Sequence, residues 1–108
     1  MVSKEEGHFN EAQLNVANLA KALSHPARLR ILNILSIYKT CNAMDIVAEM
    51  PLSQSTVSQH LKELKEAGLI KGVPNGTKME YSIRKKALAR AEKSLKKFFK
   101  TINAVNNK

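Results

Sequence analysis

Leu52-Ser53-Gln54-Ser55-Thr56-Val57-Ser58-Gln59-His60-Leu61-Lys62-Glu63-Leu64-Lys65-Glu66-Ala67-Gly68-Leu69-Ile70 is the stretch whose reading decides the fold. Val57, Leu61 and Leu64 are spaced four and three apart, which lines them along one face of a helix over Gln54 to Ala67. Ser53 stands at the N-cap position, where its hydroxyl can satisfy an orphan N–H, although Thr56 replaces the Glu of a full capping box. Gly68 occupies the place of a left-handed C-cap. Beyond it the apolar period changes from helical to two.

Working upstream, Pro51-Leu52-Ser53 separates this helix from a shorter one of two turns, Ala43 to Glu49, for which Asn42 is the N-cap. Downstream, Leu69 to Val73 and Lys78 to Ile83 read as two strands, with Met79, Tyr81 and Ile83 on one face. Pro74-Asn75-Gly76-Thr77 joins them, and Asn-Gly tolerates the positive φ of a tight hairpin turn. Further helices are predicted from Asn10 to Leu23, from Ala27 to Ile37 and from Arg84 to Val105. Pro26 suits the first turn of the second of these, capped by Ser24 or His25, and its apolar residues fall on most sides. The expected architecture is mainly α with a small β-hairpin, about five helices and a two-stranded wing. That order, with a short helix, a tight turn and a longer helix before a hairpin, is a winged helix-turn-helix. One domain over 10–105 follows a flexible N-terminus, 1–9.

Charge narrows the function. The 108 residues carry 18 Lys and Arg against 9 Asp and Glu, a net +9, so polyanions are the expected partners. No apolar run approaches the roughly 20 residues that span a bilayer, which excludes an integral membrane protein. One cysteine and no signal-like N-terminus point to the cytoplasm. No glycine-rich nucleotide loop, paired carboxylate motif or Cys–His arrangement offers a catalytic reading, and no cofactor is expected.

With Val57, Leu61 and Leu64 turned inward, the outward face of the second helix is Gln54, Ser55, Ser58, Gln59 and Lys62, none of them acidic. Gln pairs bidentately with adenine and Ser serves several base edges, so this face suits the major groove of double-stranded DNA. Ser53 and Thr56 sit near the positive end of the helix dipole, where phosphate oxygens are favoured, and His60 beside the face is expected to meet a phosphate. Lys71, Asn75, Thr77 and Lys78 belong to the wing, placed for the backbone or minor groove. A solvated polar face is the plain alternative. Acids would then be usual in the first two turns, yet Glu63 and Glu66 come only in the last two.

Ala20-Lys21-Ala22-Leu23-Ser24-His25-Pro26-Ala27-Arg28-Leu29-Arg30-Ile31-Leu32 resembles the opening of the ArsR family, and Leu52 to Ile70 resembles that family's recognition helix and first wing strand. The similarity covers roughly Leu14 to Ile83. It implies a homodimer that represses by occupying an operator and often leaves it when an effector binds. The family's arsenic- and cadmium-type sensors carry Cys-x-Cys where this chain has Asn42 and Met44, with Cys41 alone one residue away. Soft ions want two or more thiolates. Zinc- and nickel-type relatives place His, Asp and Glu on the last helix, where this chain has Glu92 as its one acid from Arg84 to Lys108. No metal site is therefore expected, and the effector is something other than a metal ion, or none.

In the last helix Leu88, Ala91, Leu95, Phe98, Ile102 and Val105 recur at three and four, a coiled-coil-like seam. The seam could pack on its own domain, but the resemblance implies a dimer that pairs first and last helices, with Val16 and Leu19 of the first helix joining the seam in the interface. The other face carries Arg84, Lys85, Lys86, Arg90, Lys93, Lys96, Lys97 and Lys100, of which the first three follow the wing and can reach flanking phosphates. Two rival readings remain open: a nucleoid-like binder without sequence preference, and a winged helix serving as a protein-interaction module.

Overall fold

A computed structural model of the chain describes residues 8 to 106. Of the expected flexible segment, residues 1–9, only His8 and Phe9 fall within the described residues. The element order is α1 (Glu11–Ala22), α2 (Pro26–Tyr38), α3 (Ala43–Val47), α4 (Gln54–Glu66), β1 (Ile70–Asn75), β2 (Lys78–Ile83) and α5 (Lys85–Asn106).

Each early helix starts on a side chain that satisfies its free N–H groups. Asn10 and Gln13 form a reciprocal capping box at α1, with the Gln13 N–H donating to Asn10 Oδ1 at 2.7 Å. Asn42 and Asp45 do the same at α3. At α2 the cap is His25, whose Nδ1 accepts from the Ala27 N–H at 3.2 Å, and Pro26 takes the first position. Helix α3 stops at Val47 rather than at the expected Glu49. Its last turn tightens, with Glu49 N–H bonding to Ile46 O and Met50 N–H to Val47 O.

Ala27, Ile31, Ile34 and Leu35 of α2 meet Ile46 of α3 and Val57, Leu61 and Leu64 of α4, while Leu69 and Ile70 close the core from the root of the wing. Helix α2 is not buried on most sides as its composition suggested. Leu29, Ile37 and Tyr38 are exposed, because α4 and the wing cover only one flank of it.

The hairpin is antiparallel, in register from Ile70↔Ile83 to Asn75↔Lys78. The two residues left to turn are therefore Gly76 and Thr77. Gly76 has φ +65°, and Asn75 is not among the positive-φ residues. Glycine first is the pattern of a type II′ turn, so Asn75 ends a strand instead of shaping the bend. Cys41 adds a bridge outside the hairpin: its N–H donates to Tyr81 O at 3.1 Å, and Tyr81 N–H returns to Cys41 O at 2.7 Å. This pins the loop before α3 to the wing. Helix α1 packs on α5.

Candidate nucleic-acid interface

The N-terminus of α4 is organised by a hydroxyl cluster. Ser53 Oγ accepts the Thr56 N–H at 3.3 Å and lies 3.2 Å from Ser55 Oγ and 2.9 Å from Thr56 Oγ1. Ser53, Gln54, Ser55, Thr56, Ser58, Gln59 and Lys62 are all exposed. Their partners Val57, Leu61 and Leu64 are fully buried, so the spacing of the apolar residues does set which face looks outward. Gln59 Nε2 donates to Glu63 Oε1 at 3.1 Å, one turn along, which holds the amide along the helix surface in the free protein.

His60 is the exception and a correction. It is 7% exposed and cannot meet a phosphate. Its ring lies 4.4 Å from that of His25, centroid to centroid, although 35 residues separate the two in the chain. Its Nδ1 accepts from Arg28 Nε at 3.2 Å. Arg28 Nη1 in turn donates to Lys21 O and Ala22 O, carbonyls at the end of α1. One guanidinium thus ties the end of α1, the start of α2 and the middle of α4. Burial first, then the nearby His25 and Arg28, hold the His60 imidazole below its usual range, against a weaker opposite pull from Glu63. The inward placement was present in the spacing: His60 is three after Val57 and four before Leu64.

In the wing, Lys71, Asn75, Thr77 and Lys78 are exposed. The Asn75 amide donates to Glu80 Oε1 at 2.6 Å, across the end of the hairpin. Of the expected dimer residues, Val16, Leu19, Leu88 and Leu95 are half-buried within their own chain, and Leu19 and Leu88 pack against its core. Phe98 and Ile102 stand out at 37% and 41% exposure, with Phe99 beside them. The side chain of Val105 lies outside the described residues. Among the described residues no three His, Cys, Asp or Glu converge as metal ligands would. Cys41 is buried, and its thiol is pushed up by that burial and by the carboxylates of Asp45 and Glu49. No helix among the described residues is long and apolar enough to cross a membrane.

Comparison with known proteins agrees with this geometry. A family model for bacterial regulatory proteins of the arsR family matches residues 25–71, from the cap of α2 into β1. The transcriptional repressor PagR of Bacillus anthracis is 40% identical over 67 residues, 62% of this chain and 67% of PagR. The HTH-type transcriptional regulator YgaV of Escherichia coli strain K12 is 39% identical over 72 residues, 67% of this chain and 73% of YgaV. An ArsR-like transcriptional regulator from Rhodococcus sp. RHA1 shares the fold, with a TM-score of 0.76 over 91% of this chain and 92% of that one at 21% identity. With a helix-turn-helix under the family match and relatives near 40% identity across two thirds or more of their length, the chain belongs to the ArsR family of DNA-binding transcriptional regulators.

Proposed function

We propose that the chain is a homodimeric repressor that binds a specific operator in the cytoplasm, with α4 in the major groove and the β1–β2 wing along the flanking backbone. The observation that carries this reading is the exposed, acid-free face of Gln54, Ser55, Ser58, Gln59 and Lys62 on a helix whose opposite face is fully buried. Ser53 and Thr56 present hydroxyls at the positive end of that helix, suited to a phosphate. Lys71 and Lys78 do the same for the wing. PagR, a repressor by name, supports the direction of regulation. Asn42 and Met44 stand at the positions of the family's cysteine ligands, and α5 has Glu92 as its one acid, which supports a regulator released by something other than a metal ion.

The test is a gel shift on the chain's own upstream region, competed with random DNA. Gln59→Ala should lose about 1–3 kcal/mol of preference for the operator over a changed base pair. Lys78→Ala should weaken all sequences alike. Intact preference in Gln59→Ala would remove α4 from the reading role assigned to it. The net charge of +9 favours a second reading, a binder without sequence preference, and equal competition by random DNA would establish it instead.

A further inference from the structure

A cleft of about 660 Å³ opens between α1, the last turn of α4 and the first half of α5. Four cations border it: Lys21, Arg28, Arg84 and Arg90. Glu63 and Glu66 form part of the same wall, yet none of these charges is paired within 4 Å; among the described residues the one ion pair is Lys96–Glu92, elsewhere on α5. Asn15, Asn18 and Ser94 add amides and a hydroxyl, and Leu19 and Ala91 add apolar surface. A concave space of this size with a few converging polar groups is the usual form of a small-molecule site. Guanidinium forks match carboxylates in particular, while Glu63 and Glu66 can accept only from donor groups.

The cleft touches what the reading of DNA depends on. Arg28 is the residue that holds His60 on α4. Arg84 joins β2 to α5, and its backbone N–H is fixed to Leu69 O at 2.9 Å, at the root of the wing. Glu63 accepts from Gln59 of the exposed face. The cleft shares Leu19 and Ala91 with the expected seam, while its polar residues Arg90 and Ser94 lie one strip round α5 from Leu88, Leu95 and Ile102.

We propose that this cleft is an effector site for a small carboxylate that also carries hydroxyl or amino groups, its carboxylate held by Arg84 and Arg90 and its donor groups facing Glu63 and Glu66. Drawing on Arg28 and Arg84, the bound anion shifts the seat of α4 and the root of the wing and so lowers affinity for DNA. Only this regulatory half rests on the function proposed above.

Melting of the full chain without DNA, in millimolar malate, glutamate or inorganic phosphate against sodium chloride of equal ionic strength, tests the site. Malate or glutamate should raise the melting temperature by about 4–8 °C. Arg84→Gln and Arg90→Gln should abolish the rise, and Lys97→Gln, about two turns beyond Arg90 and outside the cleft lining, should keep it. No rise beyond chloride, or a rise undiminished in both arginine variants, overturns the site; a rise with phosphate alone overturns the ligand class. In a gel shift the same acid should weaken DNA binding at least about tenfold, and Arg90→Gln should bind DNA equally with and without it. Melting without a change in DNA affinity overturns the regulatory half. A chain that binds no DNA overturns the function proposed above and leaves the melting result standing.

Discussion

His60 is a buried polar residue set against the ring of His25 and the guanidinium of Arg28. Its Nδ1 is committed as the acceptor of the Arg28 Nε–H, so a proton there breaks the bond that seats α4. The group's titration is set below its ordinary value, by burial first and then by His25 and Arg28. A depressed histidine contributes stability that is complete above the unfolded value, about 6.5, and is lost as pH falls through the folded one. Urea unfolding at falling pH should therefore show stability dropping across that window. His60→Gln keeps an acceptor for Arg28 but cannot titrate, and should flatten the drop. An unchanged pH profile in His60→Gln would show that another group sets it. The demand was legible in the sequence, since Arg28 in an apolar stretch needed a partner, but its choice of an imidazole 32 residues away was not.

Local chemistry and nonlocal chemistry divide cleanly at the level of elements. Gly68, with φ +78°, ends α4: its N–H donates to Lys65 O at 2.9 Å, and Leu69 N–H reaches back to Leu64 O at 3.1 Å. These are the two bonds of a Schellman motif, and Leu64 and Leu69, both buried, supply its apolar contact. The motif also aims β1, so helix end and wing root are one device. Gly68→Ala forces a Cβ into the left-handed region and should cost about 1–2 kcal/mol, read as a lower urea midpoint at unchanged slope. A cost near zero would mean that the motif relaxes without loss. The caps at Asn42 and Ser53 were likewise readable from a few consecutive residues, whereas Asn10, expected as the first residue of α1, is its cap. The Cys41–Tyr81 bridge was not, because it joins a loop to a strand 40 positions on.

A radius of gyration of 16.2 Å is well above the roughly 13 Å of a compact chain of 100 residues. The excess length is consistent with α5, whose 22 residues make a rod of about 33 Å. Its first half rests on the core through Leu88 and Ala91, while Phe98, Phe99 and Ile102 remain open. The homodimer proposed above would cover them with a second copy. Phe98→Asp should then convert a dimer to a monomer in sedimentation and lower operator affinity more than about tenfold, with the fold unchanged by circular dichroism. A Phe98→Asp chain that still sediments as a dimer would place the interface elsewhere. Salt belongs to the same scale: six phosphate contacts would lower affinity about 10³-fold between roughly 50 and 200 mM salt.

What the sequence by itself determined is whatever depends on neighbours along the chain. Periodicity separates the buried Val57, Leu61 and Leu64 from the exposed Gln54, Ser58 and Lys62, and caps mark where helices begin. Those choices are made by hydrogen bonds and burial within one or two turns, so short windows contain them. Only the tertiary structure decided the rest: that the inward-facing His60 meets His25 and Arg28, that the hairpin bends at Gly76-Thr77 and leaves Asn75 to Glu80, and that cations and carboxylates gather unpaired around one cleft. Each of these is set by cross-strand register or by groups from separate elements meeting, and residue spacing along one element does not encode that meeting.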